Sequence, residues 1–116
     1  PRWLLRHYFL GHAASPGLLA DLEASAAAVR PEVLARRVAD IRRTDLCGRL
    51  ADVRLPLLYL RARDDRLVGP QAVAALRRAC PSLEVVELPA PHMLLQTHAR
   101  EAVQATLDFL ARHGLA

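Results

Sequence analysis

Two short apolar runs constrain this chain more than anything else in it. Residues 57–60 (LLYL) and 83–88 (LEVVEL) are too short for helices and are walled by turn residues. Pro56 leads the first run and the charged turn at 63–66 (RDDR) ends it; Pro89, Ala90 and Pro91 stop the second. A nearly unbroken apolar run of this length is expected of a strand buried on both faces, as in a parallel sheet. Between the runs, Gly69 and Pro70 open a helix with Val73, Leu76 and Ala79 inward, ending at Cys80 and Pro81. A last helix is expected over residues 99–113, with Val103, Thr106, Leu107 and Leu110 inward and Gly114 past its end as a stop. Strand, helix, strand, helix with such short connections is a parallel βαβ unit plus one covering helix, so the class is α/β. Two parallel strands are not stable alone, because each needs neighbours and helices on both faces. The pattern is therefore that of the end of a larger sheet.

The first half shows no strand-like run. Leu4, Leu5, Tyr8 and Phe9 lie at helical spacing within residues 1–10, and residues 11–17 (GHAASPG) read as a breaker cluster. A helix follows over 18–29, and Pro31 opens another as its N1 residue, with Leu34, Val38 and Ile41 on one face. Residues 44–54 read as a turn. The chain thus divides into a helical segment, residues 1–50, and a βαβα segment, residues 51–116.

Composition narrows the function classes. At 116 residues, 53% apolar and 24% charged, the chain suits one globular domain. No run of about 18 uncharged apolar residues exists, so no membrane span is expected, and nothing resembles a secretion leader. The chain opens at Pro1 and not Met, which suggests a processed or truncated product. The net charge is +4, yet all 16 basic groups are Arg and they are scattered, which fits codon bias better than a selected face. Aromatics total 4%, leaving little to stack on bases, so nucleic acid is not an expected partner. Cys47 and Cys80 stand alone without metal-site spacing and read as small buried hydrophobes in a reducing compartment, the cytoplasm.

The chemistry sits where the strands end. Parallel strands joined by a right-handed crossover release their C-terminal loops on one edge of the sheet. One such loop carries Asp64 and Asp65, the other His92. A carboxylate holding one imidazole nitrogen fixes the tautomer and leaves the other nitrogen as a general base, a task suited to a group with a pKa of about 6.5. Asp65 is the expected partner and Asp64 its rival. His7, His12, His98 and His113 show no spacing that groups them with a carboxylate or as metal ligands, and they read as surface or capping residues, with His98 or Thr97 capping the last helix. No metal and no organic cofactor is implied.

Residues 44–112 resemble the C-terminal segment of α/β-hydrolases, whose pattern is a Pro-led apolar strand, a Gly-x-x-Asp-x-x-Val turn, a helix, a second strand, a Gly-His and a closing helix. Pro56 leads the strand, Asp65 falls on the acid position with Val68 three further on, and His92 falls on the catalytic histidine. Ala62 stands in place of the first Gly and Pro91 in place of the Gly before the histidine. Ala62 is tolerable there only with a negative φ. Residues 1–43 look like the family's helical lid. The resemblance implies hydrolysis of a small-molecule carboxylic ester (or thioester) through an acyl-enzyme, with His92 as base and Asp65 as its orienting acid. It lies nearest to small carboxylesterases that cleave a methyl ester from a carrier-bound acyl chain.

The family's nucleophile sits in a Gly-x-Ser-x-Gly elbow. Ser15, Ser25 and Ser82 lie in no such elbow, nor do Cys47 and Cys80, so the nucleophile is expected upstream of this chain, which alone should be inactive. Two other readings stay open: a truncated, non-catalytic binding or assembly module, and an epoxide or haloalkane hydrolase with an Asp nucleophile. Trp3, Tyr8 and Phe9 either face a substrate cleft or pack on the sheet. Met93, Leu94 and Leu95 either line an acyl pocket or belong to the core.

Overall fold

The computed structural model describes residues 1–115. Helix α1 (Arg2–Leu5) runs into a π-helical turn (Arg6–Leu10) and a 3-10 turn (Gly11–Ala13). The direction changes at Gly11, whose φ of +54° suits a residue without Cβ. A Cβ there would meet the Pro91 Cβ at 3.4 Å. Leu10, just before it, is fully buried.

Helix α2 (Pro16–Ala27) begins inside the segment expected to break helices. The Ser15 Oγ accepts the Leu18 N–H at 3.2 Å and Pro16 occupies N1, so these residues start a helix. Helix α3 (Pro31–Arg43) has Pro31 at N1 as expected. Its apolar row of Leu34, Val38 and Ile41 is uncovered, with Ile41 73% exposed. The expected turn at 44–54 contains a short helix, α4 (Cys47–Leu50), entered where Asp45 accepts the Cys47 N–H at 2.9 Å.

Strands β1 (Leu58–Ala62) and β2 (Glu84–Leu88) pair in parallel, from Leu58 opposite Glu84 to Ala62 opposite Leu88. Helix α5 (Pro70–Ala79) makes the crossover, and α6 (Leu94–Thr97) and α7 (Ala99–Arg112) follow. The architecture is α/β, as expected. β1 is only half-buried along its whole length, because it has one strand neighbour among the described residues and not two. The core gathers Leu88, Ala90, Leu94 and Ala102, with Leu60, Ala62 and Val86 against them.

Two expectations about α7 need correction. Its buried residues are Ala102 and Phe109, whereas Val103 and Leu107 are exposed. With only two strands to lean on, the helix buries the narrow row seven residues apart, and the adjoining apolar row faces away. His98 holds the N-cap position without a side-chain cap bond; its Nδ1 meets the Thr97 Oγ, which donates to the Met93 carbonyl at 2.9 Å. Gly114 ends the helix at φ +66°, as anticipated. Among the described residues no helix is long and apolar enough to cross a membrane.

Candidate active site

The parallel ladder does not stop where the strands do. The Arg63 N–H donates to the Leu88 carbonyl at 2.9 Å, and the Asp64 N–H donates to the Ala90 carbonyl at 3.0 Å. The loop leaving β1 is thereby zipped to the loop leaving β2. Asp64 contributes its backbone to this seam while its side chain stays exposed. Asp65, one residue on, turns inward. Its Oδ2 lies 2.9 Å from His92 Nδ1, and its Oδ1 accepts the N–H groups of Leu67 at 2.7 Å and Val68 at 2.9 Å. The carboxylate is 11% exposed and the imidazole 31%, so the acid is shielded while the ring reaches solvent. His92 Nε2 has no protein partner among the described residues.

No family model matches the chain, and no curated protein matches it either. Among solved structures the crystal structure of E-2-(acetamidomethylene)succinate hydrolase is similar, at 30% identity and a TM-score of 0.55. The match covers 60% of this chain and 26% of that one. The fold is that of the C-terminal portion of an α/β-hydrolase. The chain spans about a quarter of the length of the hydrolase it matches.

Within this α/β-hydrolase fold the electrostatics of Asp65 favour the ionised form. Burial raises its pKa, but the Val68 N–H, the His92 ring and the Leu67 N–H together outweigh burial and hold it below the ordinary aspartate value. The departures at positions 62 and 91 are accommodated. Among the described residues no non-glycine residue has a positive φ, so Ala62 has the negative φ it needs. Pro91 is buried against Gly11.

The N-terminal helices reach this edge of the sheet as well. The Phe9 ring stands edge-on to His92, with centroids 5.4 Å apart and planes at 84°, and the Phe9 carbonyl accepts the Met93 N–H at 2.9 Å. Phe9 thus packs on the histidine, whereas Trp3 is largely exposed. Leu94 belongs to the core, and Leu95 is exposed.

Other residues fall away from the pair. Ser15 is spent as a helix cap, the Ser82 hydroxyl faces the Cys80 thiol at 3.4 Å, and among the described residues no Ser or Cys hydrogen-bonds His92. The Arg66 guanidinium lies against the His7 ring, where one ring nitrogen can accept a hydrogen bond from it. His113 differs from expectation, since it meets a carboxylate: its Nε2 bonds Glu84, which also accepts from Arg112 at 2.7 Å. Those two bonds, Arg112 first, lower the Glu84 pKa. Among the described residues no three His, Cys, Asp or Glu side chains converge as metal ligands.

Proposed function

We propose that Asp65 and His92 are the acid and base of a Ser-His-Asp hydrolase acting on carboxylic esters (or thioesters). The observation that carries the reading is the Asp65–His92 hydrogen bond, with the carboxylate clamped by two backbone N–H groups and Nε2 left open. The similarity to a solved hydrolase supports a hydrolase in general. In this scheme His92 Nε2 removes the proton of a serine supplied from outside these 116 residues, and that serine attacks the ester carbonyl. The imidazolium returns the proton to the departing alkoxide (or thiolate), and His92 then activates water to release the acid. Asp65 holds the ring through Nδ1 and offsets its positive charge in both steps.

Residues 1–50 act as the lid and residues 51–116 as the closing part of the core. Cys47 and Cys80 are free thiols, which fits a reducing compartment, and on that ground we place the protein in the cytoplasm.

The test is the full-length gene product with p-nitrophenyl esters and a fluorophosphonate probe. His92→Ala is expected to lower kcat/KM by about 10³-fold or more, and labelling is expected to vanish with Ser→Ala in an upstream elbow. Turnover that survives His92→Ala overturns the reading. Turnover of an epoxide or haloalkane, with no ester turnover and no serine labelling, points to an Asp nucleophile instead.

A further inference from the structure

The loops that carry the Asp65–His92 pair also form a wall of a second feature. A polar cleft of about 360 Å³ opens between them and the turn at Gly11–Ala13, with His12, Asp64, Arg66 and His98 on its walls. Past His12 and Arg66 it adjoins a hollow of about 280 Å³, walled by Trp3, Arg6 and His7. Arg66 borders both hollows and Arg6 the second, so two guanidiniums flank this depression at the edge of the sheet that carries the Asp65–His92 pair. Neither Arg6 nor Arg66 forms an ion pair among the described residues. Arg66 leans on the His7 ring, which orients the guanidinium without cancelling its charge.

We propose that this depression binds a carboxylate carried by the substrate, so that the preferred ester bears a free acid group. The inference rests on the hydrolase reading for its word "substrate", while the binding site stands on its own residues. A guanidinium presents two parallel N–H donors that match a carboxylate, and the imidazoles add donors of the right reach. Two guanidiniums against the one Asp64 carboxylate leave the lining with an excess of positive charge. That excess favours an anion, and a planar carboxylate matches the planar fork of a guanidinium. The Arg66 backbone is continuous with Asp65, so an anion held there is positioned by the same loop that positions the acid.

Two measurements on the full-length protein decide the matter. In the first, glutarate is titrated while the ring resonances of His7 and His12 are followed by NMR. Saturable shifts are expected with glutarate and none with the neutral glutaramide, and the response should disappear in Arg6→Gln/Arg66→Gln, whose folding is checked by circular dichroism. Equal shifts with glutaramide, an undiminished response in the double variant, or displacement of glutarate by a lower concentration of inorganic phosphate overturns the proposal. In the second, kcat/KM for p-nitrophenyl hydrogen glutarate is divided by that for p-nitrophenyl valerate. The ratio is expected to fall about tenfold or more in Arg66→Gln, as for loss of a charged hydrogen bond. An unchanged ratio with both esters turned over overturns this proposal and spares the hydrolase reading. Turnover of neither ester removes the hydrolase reading, and the titration alone then decides whether the carboxylate site exists.

Discussion

Asp65 accepts three hydrogen bonds on two oxygens, and each donor is lost to water if the loop opens. The folded state therefore favours its ionised form, and its pKa lies below the ordinary value. The stabilisation is complete above the pKa of an unfolded aspartate, about 3.9, and drains away as pH falls through the lower folded value. Asp65→Asn in the full-length protein is accordingly expected to flatten the dependence of the urea midpoint on pH below about pH 4. Glu84 is depressed in the same direction, so the comparison is made in a Glu84→Gln background. A slope identical with and without Asp65 would show that the carboxylate gains nothing from folding. The Asp65–His92 pairing was legible from the chain because two parallel strands leave only one edge for both loops. The choice of Asp65 over Asp64 follows from the seam, since Asp64 spends its N–H on Ala90 and the next side chain turns inward. His113 on Glu84 and Phe9 on His92 were not legible, as no local spacing reports contacts 29 and 83 residues apart.

At the scale of elements, the departures from expectation have two causes. Pro16 and Gly17 read as punctuation, but Ser15 converts them into the first turn of α2 by capping its third residue. Removing that cap with Ser15→Ala is expected to cost about 1 kcal/mol, measured by urea denaturation of the full-length protein. A value near zero would mean that tertiary packing alone sets where α2 starts. The inward face of α7 departs from expectation for a different reason. Leu107 and Val103 are apolar at helical spacing, and periodicity identifies an apolar face without saying what covers it. Against two strands only the Ala102 and Phe109 row is covered. β1 carries the same lesson, because an apolar run anticipates neighbours on both sides and the described sheet supplies one.

The whole molecule shows how much contact is left unmade. Its accessible surface is 8461 Å², whereas a folded monomer of this mass exposes about 6,300 Å². Its radius of gyration is 16.0 Å, against about 13 Å for a well-packed domain of this length. The exposed apolar side chains include Ile41, Leu55, Leu95, Val103 and Leu107. Such a surface, with unpaired strand edges, favours self-association. Expressed alone, these 116 residues are expected to give aggregates or a molten state in size-exclusion chromatography and amide NMR. A cooperative thermal transition with dispersed amide resonances would contradict that. One contact has a reach beyond its size. Phe9 touches the rim twice, through its ring on His92 and its carbonyl on Met93. Lifting that segment strips the imidazole of its flanking ring and leaves the next amide without its acceptor, so the histidine's resting posture and the seating of the N-terminal helices are a single mechanical event.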